Sequence, residues 1–297
     1  MHATIATDGP WAGVGNAARY VGNVWINQLG GMFVSASSTL SFAALTVTLL
    51  LAALLAVPRG RRSMPRLRVW RRALFPRRLF ASASGRADIA WFVFGLLFFG
   101  IAFSWAIWSA DAIDAGVAAA LRRTLGAAPL ALPAPLNAAI LTGAAFIAYE
   151  FAYWLDHRLS HASPLLWQFH RVHHAAESLS LLTNFRVHPV DTIVFYNIVA
   201  VMMGATGGAL HWALGADAAA WTVGGTNALI MVSAVVLTHL QHSHLWVEFG
   251  PRWNRWLLSP AHHQIHHSAD PADFDRNFGS TLAIWDRMFG TLRPPRR

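Results

Sequence analysis

The sequence predicts an all-α fold: a polytopic membrane helix bundle of about four to five spans, carrying a histidine-bearing helical cap on the cytosolic side. Three observations predict it. Of 297 residues, 55% are hydrophobic and only 12% charged, which lies outside the range of an ordinary water-soluble domain. Apolar runs of roughly twenty residues recur, the length a helix rising ~1.5 Å per residue needs to cross a hydrocarbon core of ~30 Å. The histidines, 15 in all, crowd just beyond the ends of those runs.

Composition narrows the chemistry further. With no cysteine, disulfides, thiolate metal sites and thiol nucleophiles are excluded. The formal charge is +9 and its basic residues are all arginine. In a membrane protein such an excess reads as topological, or as directed at anionic lipid, and no nucleic-acid partner is expected. Met1 to Asn27 lacks a basic region before an apolar run, so no cleavable signal is expected there.

Taken in order, residues 1–33 are mildly polar and Gly-rich, with Trp11, Trp25 and Phe33 spaced along them. They read as a non-spanning, interfacial lead-in. The first span is Val34 to Val57, ended by Pro58. The arginine block Arg59 to Arg86 follows, with Leu67, Trp70, Leu74 and Leu79 interleaved. An amphipathic helix on an anionic leaflet and a solvated, orientation-fixing loop explain it equally well. Ile89 to Ala110 is the second span, Asp111 to Leu136 an Ala/Pro-rich connection, and Asn137 to Leu155 a third span running straight into His157. Thr192 to Leu214 and Trp221 to Leu240 read as a helical hairpin. The rest is polar, aromatic and histidine-rich. Ser163-Pro164 and Ser259-Pro260 each look like a helix start before a histidine cluster. The chain thus divides into an N-terminal membrane region, 1–136, and a chemistry-bearing unit, 137–297.

Topology provides an independent check. The positive-inside rule puts the arginine block in the cytoplasm. Counting spans from there leaves both the 157–188 and the 239–267 histidine clusters cytoplasmic, so the two can meet.

The clusters are His157-x-x-x-His161, His170-x-x-His173-His174, His188, His239-x-x-His242-x-His244 and His262-His263-x-x-His266-His267. On a helix His157 and His161 are ~40° apart, and His170, His173 and His174 fit an arc of ~100°. Imidazole is the commonest metal ligand. A polar, hydrogen-bonded helix face is the plainer reading of one HxxxH alone, but the recurrence of HxxHH reverses it. The eight imidazoles of the one HxxxH and two HxxHH boxes exceed the need of a catalytic zinc, which uses about three protein ligands and a water. Two six-coordinate ions sharing a bridging oxygen would use them, so a dinuclear site is expected. The Glu-x-x-His pattern of soluble di-iron bundles is missing.

The ordered set of boxes resembles the fatty acid hydroxylase/sterol desaturase superfamily of integral-membrane di-iron oxidases. The resemblance covers roughly Ala144 to Thr291. It rests on the HxxxH and HxxHH boxes, Arg186-x-His188-Pro189, Gln241-His242-Ser243, Ser259-Pro260-x-x-His263-x-x-His266-His267-Ser268, Asn277-Phe278-Gly279 and Trp285-Asp286-Arg287-Met288-Phe289-Gly290-Thr291. His244 and His262 stand where relatives often carry other residues. The resemblance implies two non-haem irons, O₂ as co-substrate, and hydroxylation, desaturation or ether cleavage of a membrane lipid. The candidate ligands are His157, His161, His170, His173, His174, His188, His242, His263, His266 and His267. For His188 the alternative is a supporting donor or a helix cap before Pro189. Asp156, Asp191 and Glu177 are candidates to orient imidazoles. Phe274, Phe278, Leu282, Trp285 and Phe289 are expected to pack the C-terminal segment over the site. His211 has no partner in sight.

The function expected is that of a multi-pass bacterial inner-membrane enzyme with its site on the cytoplasmic side. No GxGxxG loop or haem-attachment motif is present, so electrons are expected from a separate reductase with a ferredoxin or small haem carrier. Two alternatives are a metal-dependent membrane hydrolase, for which HExxH is absent, and a metal transporter or sensor, whose histidines should lie within spans.

Overall fold

The computed structural model describes residues 12–35, 38, 40–55, 81–127 and 130–295. Most of the arginine block, residues 59–80, lies outside the described residues, so its two readings stay level. The described residues are mostly helical: α1 (Ala12–Val34), α2 (Phe42–Leu55), α3 (Ala83–Phe94), α4 (Ala110–Leu125), α5 (Ala134–Ala162), α6 (Pro164–His174), α7 (Pro189–Leu214), α8 (Ala228–Ser233), α9 (Pro260–His266) and α10 (Ile284–Met288). A two-residue antiparallel ribbon, Thr222–Val223 against Thr226–Asn227, precedes α8.

Among the described residues, α5 and α7 are long and apolar enough to cross a membrane by themselves. They cover the expected spans Asn137–Leu155 and Thr192–Leu214. The other three expected spans take different forms. Within the first, the described residues form α2, Phe42–Leu55, which by itself is shorter than the ~20 residues a crossing needs. The second, α3, passes through a π-helical turn at Gly95–Phe99 and a further turn, Gly100–Phe103. It forms with α4 a pair bent by 78°. The last begins as the ribbon, and α8 continues through a second π-helical turn, Ala234–Thr238, to Gln241. Of residues 1–33, read as an interfacial lead-in, the described part lies in a continuous helix, α1, which runs on to Val34.

The Asp111 to Leu136 stretch is not a plain connection: it contains α4. Ser109 caps that helix by accepting from Ala112 N, and Gly126, at φ 80°, ends it. The helix lies along α7 at backbone contact. A Cβ added at Gly204 would meet the Ala110 carbonyl oxygen at 2.6 Å, and one at Gly208 would meet Val117 Cβ at 2.8 Å. Small residues four apart let two helix backbones approach in this way.

The polar cap is gathered where α5 ends and α7 begins. Ser163 caps α6 through Leu166 N, with Pro164 in the first turn, and Ser259 and His262 form a reciprocal capping box on α9. These two Ser-Pro starts each launch a histidine-bearing helix. The cap is tied to α3 by Asp88, which accepts from Ser180 Oγ (2.9 Å), Thr183 Oγ1 (2.8 Å) and Arg186 Nη1 (3.2 Å). It is tied to α5 by Glu150, whose Oε2 accepts from Thr281 N (2.9 Å) and Leu282 N (2.7 Å).

Candidate metal centre

Nine of the ten histidines expected to bind metal converge in two groups. His157, His161, His170, His174 and His266 form one; His173, His242, His263 and His267 form the other. Within each group the candidate ligand nitrogens all lie within 4.8 Å of one another. Helical spacing explains the split of the HxxHH boxes: in each, the last two histidines point ~100° apart, so the box feeds both groups. His174 and His173 go to different groups, as do His266 and His267.

The tenth, His188, lies in neither group. It is the N-cap of α7, its Nδ1 accepting from Val190 N at 3.2 Å, and its ring packs between Phe169 and Trp91. His262 is likewise occupied elsewhere, accepting at Nδ1 from Ser259 N (3.1 Å) and lying 2.8 Å from Ser259 Oγ. His244 is exposed. His239 is buried against Phe185. His211 has a partner the sequence did not reveal: Asp114 of α4, whose carboxylate takes its Nδ1 at 2.8 Å.

Four rings of the first group are held by groups that only accept hydrogen bonds, which places the proton on Nδ1. His157 donates to the Phe278 carbonyl (2.8 Å), His266 to the Arg276 carbonyl (2.7 Å), His170 to Asp191 Oδ2 (3.1 Å) and His161 to Asp275 Oδ1 (3.2 Å). Each Nε2 is then a lone pair facing the centre of the group. His157 Nε2 and His170 Nε2 are buried with no partner, and His174 Nε2 lies 3.1 Å from both His161 Nε2 and His266 Nε2. In the second group His242 donates from Nδ1 to the Thr238 carbonyl at 3.3 Å. Its Nε2 lone pair therefore faces His263 Nε2 at 2.8 Å and His173 Nε2 at 3.2 Å. Converging, buried lone pairs are what a cation satisfies, so the residues present fit two metal ions.

The electrostatics agree. Burial pushes His173, His174, His263, His266 and His267 well below the ordinary imidazole range, and the neighbouring rings add to it. His242 is lowered to about 4, again mainly by burial. Neutral rings are the form that ligates metal.

The supporting shell was only partly visible in the sequence. Asp191 orients His170 as anticipated, while Glu177 is exposed and contributes its backbone N–H to Ser84 Oγ. Asp275 and the Phe278, Arg276 and Thr238 carbonyls were missed. Asp275 and Asn277 adopt positive φ, 55° and 57°, a conformation rare outside glycine and commonest for Asn and Asp. That bend aims the Arg276 and Phe278 carbonyls at two ligand rings. It is braced by Asp286, whose carboxylate accepts from Phe278 N, Gly279 N and Thr291 Oγ1. Burial raises the Asp286 carboxyl above its ordinary value. Phe278 is fully buried over His157, His161 and His266. Phe274 is exposed, and Phe289, also exposed, stacks on Trp154.

A cavity of about 740 Å³ reaches the histidines His157, His170, His173 and His242, within the ordinary volume range of small-molecule sites. Its other walls include Phe92, Phe94, Leu96, Phe99 and Phe195.

Comparison with known proteins points the same way. The chain is 29% identical over 166 residues to an alkylglycerol monooxygenase of Danio rerio, covering 55% of this chain and 33% of that protein. It is 30% identical over 151 residues to the ornithine lipid hydroxylase OlsE of Rhizobium tropici, covering 50% and 40%. It is also 30% identical over 151 residues to a cholesterol 25-hydroxylase of Rattus norvegicus, covering 46% and 41%. The chain thus spans well under half the length of these curated relatives. No solved structure matches it. The fatty acid hydroxylase family model matches residues 142–291, which is half of the chain and contains every histidine of both groups, and on that match the chain belongs to the fatty acid hydroxylase family.

Proposed function

We propose that this chain is a membrane-bound di-iron oxygenase that hydroxylates or desaturates a lipid, using O₂ and electrons delivered by a separate reductase with a ferredoxin or small haem carrier. The observation that carries the reading is the pair of imidazole groups with lone pairs turned inward beside an apolar cavity. Two irons held by His157, His161, His170, His174 and His266 and by His173, His242, His263 and His267 would supply O₂ activation and attack on an unactivated C–H bond.

The protein's own part is positioning. Asp191, Asp275 and the carbonyls of Phe278, Arg276 and Thr238 fix ring orientation and tautomer. The aromatic cavity walls lay an acyl, alkyl or sterol-like chain against His157, His170, His173 and His242, and exclude water there. Residues 137–297 act as the catalytic unit. Residues 1–136 act as the membrane region that closes its cavity from one side. The histidine cap is read as cytosolic, and the membrane as a bacterial inner membrane.

Two measurements test the proposal together. Purified protein should carry about two irons per chain and take up O₂ only with lipid and a reductant. Lipids from cells with and without the gene should differ by a mass of about +16 or −2, as hydroxylation and desaturation require. Zinc in place of iron with O₂-independent lipid cleavage would favour the hydrolase alternative. Metal movement across vesicles would favour the transporter.

A further inference from the structure

Two ring contacts fix where the C-terminal segment sits against the bilayer. Phe289 stacks on Trp154 with ring centroids 4.4 Å apart, and Trp285 packs on Phe151 at 4.8 Å. Both partners lie in the last turns of the apolar stretch of α5, just before Asp156, His157 and Arg158, where a crossing helix leaves the hydrocarbon. Ile147, one turn before Phe151 on the same helix face, is exposed, so that face is turned to lipid. A second loop is held at the same level. Leu258 N donates to the Thr281 carbonyl at 2.8 Å and Ala283 N to the Trp256 carbonyl at 2.9 Å, which lays residues 253–258 against residues 281–289.

The outer surface of these two segments is aromatic and basic. Trp253, Trp256, Met288 and Phe289 are 58%, 54%, 66% and 53% exposed, and Arg252, Arg255 and Arg287 are exposed beside them. The Arg287 guanidinium lies 4.3 Å from the centre of the Trp256 ring and donates to the Arg255 carbonyl at 3.4 Å, which joins the segments into one patch. Among the described residues, none of these three arginines pairs with a carboxylate. Of the two acids in these segments and the loop before them, Glu248 is exposed, while Asp286 is turned inward onto Phe278 N, Gly279 N and Thr291 Oγ1. Large apolar groups gathered on a surface mark an interaction site. Tryptophan favours the headgroup level of a bilayer, and arginine there attracts anionic lipid. A soluble partner would need the patch clear of the membrane, whereas packing on Phe151 and Trp154 sets it at the membrane boundary. We propose that the patch is a docking surface for the leaflet on the cap side: its apolar side chains enter the headgroup layer, and Arg252, Arg255 and Arg287 bind the phosphates of anionic phospholipid. The assignment goes beyond the oxygenase reading and needs only that α5 crosses the bilayer.

The sequence contains no cysteine, so Trp253→Cys, Met288→Cys and, as a water-facing reference, Ala272→Cys can each carry a single bimane label. The labelled chains are placed in phosphatidylcholine nanodiscs with a fixed share of lipid bearing an acyl-chain nitroxide. Nitroxide phosphatidylcholine should quench the labels at 253 and 288 strongly and the label at 272 little. Nitroxide phosphatidylglycerol at the same share should quench the label at 288 more, with a relative association of about fivefold, the weight of roughly one arginine at an anionic surface. Arg252→Gln, Arg255→Gln and Arg287→Gln combined should erase that preference. Raising the salt on the otherwise unchanged protein should reduce it too, which answers the question even if the triple variant does not fold. Quenching at 253 and 288 no greater than at 272 would put the patch in water, or under a second copy or a soluble carrier, and would overturn the assignment. Equal quenching by the two lipids, or a preference unchanged by the variant or by salt, would overturn it as well. None of these readouts involves iron or O₂, so this assignment and the oxygenase reading fail separately.

Discussion

A neutral imidazole has one N–H and one lone pair, so whatever holds Nδ1 decides what Nε2 can do. His266 is held by the Arg276 carbonyl and shares its group with four other rings. His266→Ala, or His173→Ala in the second group, should therefore lower bound iron and abolish turnover. His188→Ala should keep both irons, because that ring caps α7 and faces Phe169 and Trp91. Its cost should be in stability, about 0.5–2 kcal/mol as for other lost caps, read by thermal unfolding. Asp191→Ala should sit between these cases, with metal affinity reduced about 10–100-fold, the usual effect of removing a group that orients a ligand. Iron counted per purified chain checks all three. Acid should act on the same residues. The folded-state values of His173, His174, His263, His266 and His267 lie well below the ordinary one of about 6.5, and that of His242 is about 4. The unfolded chain then binds protons before the folded chain does. The stability these neutral rings confer is complete above about pH 6.5 and is lost as pH falls toward their folded values. Protons also compete with metal for the same lone pairs. Iron release measured against pH should begin below about 6.5, and a release that rises with increasing pH would contradict the assignment.

At the scale of elements, what could be read in advance was what depends on spacing along one helix. HxxxH and HxxHH put their rings on defined faces of α5, α6 and α9 whatever those helices pack against, and the two Ser-Pro starts marked where α6 and α9 begin. What could not be read depends on a partner far along the chain. A carbonyl carries no side-chain signature, so nothing marked Phe278 as the acceptor for His157, 121 residues away. α4 was missed for a related reason. Its stripe of Ala residues is a weak apolar signal, and its partner is the glycine face of α7. That contact gives its own prediction: Gly204→Leu should drive side-chain atoms into the Ala110 carbonyl and Ile113, both under 3 Å from a Cβ placed there. Overpacking of this kind costs about 1–3 kcal/mol or more, and thermal melts in detergent should show it while the iron count per folded chain stays unchanged. The cap should behave as one element with its metals. Chelation leaves many buried rings unpaired, so hydrogen exchange in residues 157–190 and 240–291 should rise more than in the cores of α5 and α7. Equal protection with and without metal would count against a shared site.

For the whole molecule the decisive question is whether the two histidine clusters and the arginine block share one side of the membrane, as the positive-inside rule requires. The packing of the described residues supplies reasons independent of charge. Ser84, at the start of α3, accepts at Oγ from Glu177 N at 3.2 Å and from Arg186 Nη1 at 3.2 Å. The end of the arginine block is therefore in contact with the cap. The C-terminal segment is in contact with it as well, through Asn277, whose amide nitrogen donates to the His262 and Arg293 carbonyls at 3.0 and 2.9 Å. The start of α5 lies at the other end. Leu130 N donates to the Ala213 carbonyl at 3.0 Å, and Trp212 Nε1 to the Gly126 carbonyl at 2.9 Å, so this stretch meets the last turn of α7, a full helix length from His188. If α5 and α7 each cross the bilayer once, residues near Pro133 face the side opposite the cap. A topology reporter inserted near Ser82 and another fused after Arg297 should both report the cytoplasm, and one inserted near Pro133 should report the far side. Reporters at Ser82 and the C-terminus on opposite faces would separate α3 from the histidine cap that Asp88 ties it to, and the single shared metal centre would fall with that contact.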